Sequence, residues 1–90
     1  MILVSYDISE DKLRSKFSKY LSKFGHRVQY SVYEIDNGDR ILKNIQVELE
    51  SLWVPKFKET DSVVIIVAAA SSKIIRCGYA RHDDEALLIV

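Results

Sequence analysis

The sequence predicts an α+β domain of the ferredoxin-like type, in which two helices cover one face of a small antiparallel sheet (βαββαβ). Apolar periodicity gives the order strand, helix, strand region, helix, strand, followed by extra C-terminal strands. The length of 90 residues suits one core and no more. The apolar fraction of 48% is typical of a globular chain. We therefore expect residues 1–90 to form a single domain.

The first half of the chain contains one strand, one helix and a strand region. Residues 1–6 are apolar enough for a strand, and residues 12–24 place apolar side chains at helical spacing. Ser9 is expected to cap this helix, and Gly25 to end it in a left-handed conformation. The segment 26–36 alternates as a strand, in one long piece or in two short ones.

The second half begins with a helix over 39–54, which Pro55 is expected to end. Strands are expected at 62–70, 73–80 and 86–90, and the strands 1–6 and 62–70 at the centre of the sheet because they are the most continuously apolar. The helix residues expected to face the core are Ile41, Leu42, Ile45, Leu49, Leu52 and Trp53.

The strand 62–70 is apolar on both faces, whereas two helices cover only one face of the sheet. Val63, Ile65 and Val67 alternate with Val64, Ile66 and Ala68. Burying an apolar side chain contributes about 1.5–3 kcal/mol, so an uncovered second set is costly. We therefore expect a homodimer packed sheet to sheet about a two-fold axis, with the C-terminal strand added to the partner's sheet edge.

Charge, apolar run length and cysteine content argue against several classes of protein. Thirteen basic and 13 acidic residues give a net charge of 0, which argues against nucleic-acid binding by bulk charge alone. A local basic run nevertheless spans 12–27. No apolar run is long enough for a membrane span, and the N-terminus does not resemble a signal peptide. The single Cys77 cannot form an internal disulfide, which favours the cytoplasm, and we expect it to be a small buried apolar residue.

Asp7 directly follows the first apolar strand. A carboxylate at the end of a rigid central strand is well placed to bind a hard cation such as Mg²⁺. The alternative is that Asp7 caps the turn or helix that follows. The local sequence by itself favours the capping role for Asp7.

The helix over 12–24 has an unusually basic surface. Lysines at 12, 16, 19 and 23 form one stripe, and serines at 15, 18 and 22 form another, with Arg14 on the opposite flank of the apolar face. Lysine and arginine side chains that track a phosphate backbone would give such a pattern. A solvated lysine face, which is common, would also give it.

The remaining polar and aromatic candidates are less specific. Tyr6, Tyr30 and Tyr33 carry a polar end, and core or interface packing is expected for Tyr30. His26 and His82 lack metal-ligand spacing, and the stretch 82–85 is expected to be a polar turn. These residues alone fit a nucleic-acid protein or a small-molecule regulatory domain equally well.

Two blocks of sequence remove this ambiguity by resemblance. The first is "YDIS" at 6–9, followed by Arg14, and the second is "GHRVQYSVYE" at 25–34. Together they resemble the second CRISPR-associated adaptation protein, the Cas-two family. The resemblance covers the whole chain, including "DSVVIIV" after the second helix. It implies the ferredoxin-like fold and the homodimer.

The resemblance also implies roles for individual residues. Asp7 would be the family's metal-binding acid, facing its copy across the two-fold axis, with Tyr6 beside it. Arg14 occupies the first basic helix position, while Lys16 stands where a second arginine is common. The residues implied in catalysis are Asp7, Tyr6, Arg14 and Arg27, and those implied in nucleic-acid binding are Lys12, Arg14, Lys16, Arg27 and Ser31; Tyr33 replaces the usual phenylalanine.

Two functions of different classes follow from the resemblance. In the first, the dimer is a scaffold in spacer acquisition that binds protospacer DNA with the CRISPR integrase of the Cas-one family. In the second, it is a magnesium-dependent endonuclease that cleaves single-stranded RNA or duplex DNA at Asp7. We favour the scaffold, because one carboxylate per protomer is a sparse metal site. A toxin-type endoribonuclease of a toxin–antitoxin pair, with the same fold, is the alternative reading.

Overall fold

The computed structural model describes residues 1–36, 38–75, 77 and 78, and these form an α+β fold with one antiparallel sheet and two helices. The predicted strand region 26–36 is therefore two strands. The strands are β1 (Ile2–Asp7), β2 (Gly25–Gln29), β3 (Val32–Ile35) and β4 (Ser62–Val67), and the helices are α1 (Asp11–Leu21) and α2 (Asp39–Glu48). A π-helical turn, Leu49–Trp53, and a 3₁₀ turn, Val54–Lys56, continue α2.

The strands lie in the order β2-β3-β1-β4, and each neighbouring pair is antiparallel. The centre of the sheet is therefore β1 and β3, and β4 is an edge among the described strands. Among the strands that the structure describes, the expectation that the strand 62–70 is central was wrong. Continuous apolarity indicates burial on two faces, which a partner on the open face could also provide, so it does not fix the position of a strand in the sheet.

Both helices pack on the same face of the sheet. Alternate residues of β1, namely Ile2, Val4 and Tyr6, are buried in one cluster with Phe17 of α1 and Ile45 of α2. Alternate residues of each strand point to this face of the sheet, and apolar residues at helical spacing point from the two helices toward the same face. This single core fixes the position of α1 over the sheet.

The ends of α1 differ from the sequence prediction. Glu10, not Ser9, is the residue that precedes the helix, and it makes no side-chain cap bond. The amide and hydroxyl of Ser9 both donate to Asp61 Oδ1, at 2.9 and 3.0 Å. Ser9 is therefore tied to a distant loop, and this contact outcompetes local capping.

Gly25 is also not the left-handed end of α1, because the helix ends four residues earlier and Gly25 begins β2. A Cβ atom at this position would lie 1.9 Å from the backbone oxygen of Glu34 on β3. Glycine is therefore required by the close approach of two strands.

The segment after α2 rotates one predicted core residue outward. Trp53 packs against the core, but the side chain of Leu52 is 53% exposed. The wider π-helical turn shifts the angular positions that a regular helix would give. Pro55 lies within the 3₁₀ turn that follows and is not the residue at which α2 ends.

The predicted C-terminal strands are not found where the structure can test them. Of the predicted strand 73–80, residues 73–75, 77 and 78 are not in a strand. Residues 79 and 80, the predicted polar turn 82–85 with His82, and the predicted strand 86–90 lie outside the described residues. Cys77 is exposed, which contradicts its expected burial.

The face of the sheet opposite the helices is apolar and uncovered within the chain. Val64 is 54% exposed and Ile66 is 46% exposed, while Leu3 and Val32 are partly buried beside them. The register pairs Leu3 with Ile66, so these side chains are neighbours. Among the described helices, none is long and apolar enough to cross a membrane.

Candidate nucleic-acid interface

A cavity of about 510 Å³ lies between α1 and the hairpin formed by β2 and β3. Its cations are Arg14, Lys16, Lys19 and Arg27. Its hydroxyl groups come from two serines of α1, the serine that directly follows the helix, and three tyrosines: Ser15, Ser18, Ser22, Tyr6, Tyr30 and Tyr33. No acidic residue is among the described residues that line it. Such a lining of cations and hydroxyl donors matches a phosphate group.

A β-bulge directs Arg27 toward this cavity. Arg27 pairs with Tyr33, while Gln29 pairs with Val32, so Val28 is an extra residue on β2. Without the bulge, Arg27 and Gln29 would share one face of the sheet, as simple alternation predicts. The bulge separates them and leaves Arg27 on the face that carries α1.

Arg27 is held by α1 and β3 together. Its Nη2 donates to Ser18 Oγ at 2.7 Å and lies 3.4 Å from Tyr33 Oη. The Ser18 and Tyr33 hydroxyls are 2.6 Å apart. The guanidinium carbon lies 5.6 Å from the centre of the Tyr33 ring, which adds a cation–π contact. Arg27 is thus a preorganised cation at the base of the cavity.

Arg14 is anchored at the other side of the cavity. Its Nη1 donates to the carbonyl of Ile8 at 2.9 Å, and its Nη2 pairs with Asp11 one helical turn earlier. A guanidinium has five N–H groups, so these two bonds leave donors for an anion. The hydrogen bond to Asp11 raises the pKa of Arg14, and the Tyr30 phenol contributes to the same shift.

Tyr6 contributes a neutral hydroxyl from β1. Burial raises the pKa of Tyr6, although a hydrogen bond with Ser18 acts in the opposite direction. The phenol therefore stays protonated well above neutral pH and can donate to an anionic oxygen.

Tyr30 is the exposed aromatic side chain of the cavity. It occupies the two-residue turn between β2 and β3, and its side chain is 66% exposed, so of the expected core or interface packing the core alternative is wrong. The next residue, Ser31, has φ of 75°, and its carbonyl accepts a bond from the Tyr6 amide at 3.0 Å. The turn is thereby fixed to β1.

Asp7 lies away from this cavity. Because Tyr6 faces the helices, the next residue of the strand faces the opposite side of the sheet, where Asp7 is exposed and pairs in register with Ser62. The predicted site residues therefore divide into two places. Tyr6, Arg14, Lys16 and Arg27 come together at the cavity, while Asp7 lies at the end of the uncovered face.

Two further predicted residues do not line the cavity. Lys12 is exposed at the start of α1, and Ser31 contributes its backbone to the turn, as described above. Ser18 and Lys19, by contrast, line the cavity although neither was singled out as a site residue. The serine and lysine stripes of the helix are the sequence pattern by which Ser18 and Lys19 could have been identified.

A magnesium site can be tested against the donors that are present. The exposed carboxylate of Asp7 is a ligand of the type that Mg²⁺ prefers. Among the described residues, however, no three His, Cys, Asp or Glu side chains are grouped closely enough to hold a metal ion. Asp7 alone is a sparse ligand set, so water or a carboxylate from a second copy of the chain would have to complete the coordination of Mg²⁺.

Comparisons with known proteins agree with the resemblance. The family described as CRISPR associated protein Cas2 matches residues 1–73. A protein of Methanospirillum hungatei, named CRISPR-associated endoribonuclease Cas2 2, is 30% identical over 98% of this chain and 97% of its own length.

Two solved structures have a similar fold. A hypothetical protein from Thermus thermophilus superposes with a TM-score of 0.68 at 28% identity, over 84% of this chain and 89% of that one. Streptococcus pyogenes Cas2 gives a TM-score of 0.63 at 24% identity, over 78% of this chain and 87% of that one. Both likenesses are consistent with the sheet and two helices described above.

Proposed function

Since the chain belongs to the Cas2 family of CRISPR-associated proteins, we propose that it acts in spacer acquisition as a homodimeric scaffold. The dimer binds protospacer DNA and joins it to the CRISPR integrase of the Cas-one family. In this proposal the fold is the ferredoxin-like sandwich, and the two protomers pack sheet to sheet. Family membership favours this role over the toxin-type endoribonuclease.

The observation that carries the proposal is the preorganised basic cavity. Arg14 and Arg27 are fixed on either side by hydrogen bonds within the chain, and Lys16 and Lys19 add charge at its rim. Cations held in place lose little conformational entropy when they bind a phosphate backbone. These contacts position nucleic acid without reading its bases.

The uncovered sheet face supports the homodimer. It exposes Val64 and Ile66 in one patch, and a two-fold related copy would bury this patch against its own equivalent patch. Asp7 lies on the same face, and in the proposed dimer its carboxylate faces its copy across the two-fold axis, as the family resemblance implies. This is the arrangement in which Mg²⁺ fits.

A second activity, metal-dependent phosphodiester cleavage, is favoured because the Methanospirillum hungatei relative is named an endoribonuclease. Asp7 of both protomers would hold the ion. A magnesium ion bound there supplies positive charge and a more acidic water. The residues of the chain itself would bind and orient the nucleic acid: Arg14 and Arg27 hold backbone phosphates, and the Tyr6 hydroxyl donates a hydrogen bond to an anionic oxygen at the cavity.

Binding and cleavage should be measured on the same preparations. Fluorescence anisotropy with labelled duplex DNA tests binding for the wild type, Arg14→Ala, Arg27→Ala and Val47→Ala, an exposed residue of α2 outside the cavity. We expect both arginine variants to bind more weakly with a shallower salt dependence. Equal binding by all four proteins would contradict the scaffold proposal.

Cleavage is tested by incubating labelled single-stranded RNA and duplex DNA with Mg²⁺ or with EDTA. The nuclease proposal expects Mg²⁺-dependent products that disappear in Asp7→Ala and Asp7→Asn. Unchanged cleavage by these variants would remove Asp7 from the chemistry. Co-purification with the integrase of the same locus tests the partner. If this protein purifies as a dimer and the integrase does not accompany it, that part of the proposal is wrong.

A further inference from the structure

Tyr30 is exposed in a place where an exposed aromatic ring is costly. It is 66% exposed, and the other exposed large apolar side chains among the described residues are aliphatic. An aromatic ring left in water loses the stabilisation that its burial would give. The turn would be served equally well by a small polar residue. Neither stability nor the geometry of the turn explains an aromatic residue at this position, which indicates a role in binding.

The backbone of the turn that carries the ring is held in a fixed place. The loop between β2 and β3 has two residues, with Gln29 and Val32 paired on either side of it. The Ser31 carbonyl is bonded to the Tyr6 amide, as described above, which pins the loop to the central strand. A short turn with both ends in the sheet and a bond to β1 presents its side chain from a fixed backbone, so little backbone entropy is left to lose on binding.

The surroundings of the ring match one nucleotide. Tyr30 shares its cavity with Arg14, Lys16 and Arg27, which supply the charge for a backbone phosphate. The cavity volume of about 510 Å³ lies in the range of sites for small organic groups. A flat apolar ring beside such cations is the combination that single-strand binding surfaces use, because a base stacks on the ring while its phosphate meets the cations.

We propose that Tyr30 is a stacking platform for an unpaired base, whose adjoining phosphate occupies the cavity between Arg14 and Arg27. The inference rests on the nucleic-acid binding proposed above and adds a preference for single strands. A base inside a duplex has both faces covered by its neighbours and cannot stack on a side chain. The ring therefore engages a single-stranded end or overhang, or a single-stranded substrate, and does so with little sequence preference.

The test compares ring variants on strands with and without a base. A labelled single-stranded DNA of mixed sequence, the same strand with consecutive abasic sites, and a hairpin duplex are titrated in EDTA, which prevents cleavage. The proteins are the wild type, Tyr30→Ala, Tyr30→Phe, Arg14→Ala, and Val47→Ala as an exposed control outside the cavity. Thermal melting by circular dichroism checks that each variant is folded.

We expect Tyr30→Ala to weaken single-strand binding about tenfold, the order found when a stacking residue is removed. Tyr30→Phe keeps the ring and should stay within about twofold of wild type. The abasic strand should bind more weakly to wild type and about equally to wild type and Tyr30→Ala. Binding of the duplex should be unchanged by either variant.

Two results would overturn the inference, and they can be told apart. If wild type binds the strands and Arg14→Ala weakens binding, but Tyr30→Ala has no effect or has the same effect on the abasic strand, the stacking role is wrong and the basic cavity stands. If wild type binds none of the three probes, the proposed function fails and the stacking role fails with it.

Discussion

At the scale of single residues, several positions are determined by partners far away in sequence. Gly25 is needed because β3 approaches it closely, and Ser9 is held by Asp61, which is 52 residues distant. Local sequence rules assign both residues to the ends of α1. They fail because these long-range contacts are formed only by the completed sheet.

Replacing Gly25 by alanine should destabilise the protein. The new Cβ would meet the backbone oxygen of Glu34 at 1.9 Å and the Ile35 Cα at 2.8 Å, and neither atom can move without separating the strands. We expect a loss of about 1–3 kcal/mol in the free energy of unfolding, as for other overpacked sites. Urea titration measures it.

Gly38→Ala is the matched control for that substitution. Its Cβ would come no closer than 3.7 Å to the Ile41 side chain, an ordinary contact. A loss at Gly25 no greater than that at Gly38 would contradict the close-approach argument.

Ser18 should matter for binding more than for stability. Its hydroxyl accepts the 2.7 Å bond from Arg27 and contacts Tyr33. Ser18→Ala removes this positioning bond, and we expect affinity for nucleic acid to fall by about 0.5–1.5 kcal/mol. Ser22→Ala, on the rim of the same cavity, is the control, since its hydroxyl donates to the Lys19 carbonyl within the helix. Equal losses for the two variants would argue against positioning.

At the scale of elements, the sequence predicts what depends on periodicity. The existence and type of the two helices, the first strand and the strand that begins at Ser62 were predicted correctly, though not all of their ends, because each buries one regular set of apolar residues. Periodicity could not show the bulge at Val28, which places Arg27 at the cavity, or the π-helical turn that exposes Leu52. Both are single-residue changes in register.

The candidate site divides in the same way. Arg14 and Arg27 were identified by resemblance, whereas their common cavity depends on the bulge and on Ser18. The separation of Asp7 from Tyr6 follows from simple strand alternation and could be predicted from the sequence. The exposure of Tyr30 could not be predicted, because an aromatic residue in an alternating stretch is more often buried.

The connection between Lys58 and β4 should make stability depend on pH. The amide of Lys58 and the amide and hydroxyl of Ser9 donate to the Asp61 carboxylate, and they lower the pKa of Asp61 below its ordinary value. A lowered pKa in the folded state means that the carboxylate stabilises the fold above its unfolded pKa. This contribution is lost as pH falls through the folded pKa.

Asp61→Asn should therefore lower the melting temperature at neutral pH and reduce its decline in acid. Thermal melts between neutral and strongly acidic pH measure both effects. Glu59→Gln, an exposed neighbour, serves as the control for removing a charge. An acid decline as steep in Asp61→Asn as in wild type would show that other groups cause it.

At the scale of the whole molecule, the uncovered sheet face should control oligomeric state. Ile66→Glu places a charge in the centre of the apolar patch and should dissociate the proposed dimer, because a buried unpaired charge is strongly unfavourable. Val47→Glu adds the same charge to an exposed residue of α2 and should leave the dimer intact. Sedimentation equilibrium distinguishes the two, and a dimer that survives Ile66→Glu would contradict sheet-to-sheet packing.

The same face should couple the proposed dimer to divalent cations through Asp7. Two carboxylates that approach each other across a two-fold axis repel unless a cation lies between them. Without Mg²⁺, Asp7→Asn should therefore dimerise at least as tightly as wild type, because the amide removes the like charges. Adding Mg²⁺ should tighten the wild-type dimer and leave Asp7→Asn unchanged, since binding to one state shifts the equilibrium toward it. Sedimentation with Mg²⁺ or EDTA measures both proteins, and a wild-type dimer indifferent to Mg²⁺ would place the Asp7 pair too far apart to share an ion.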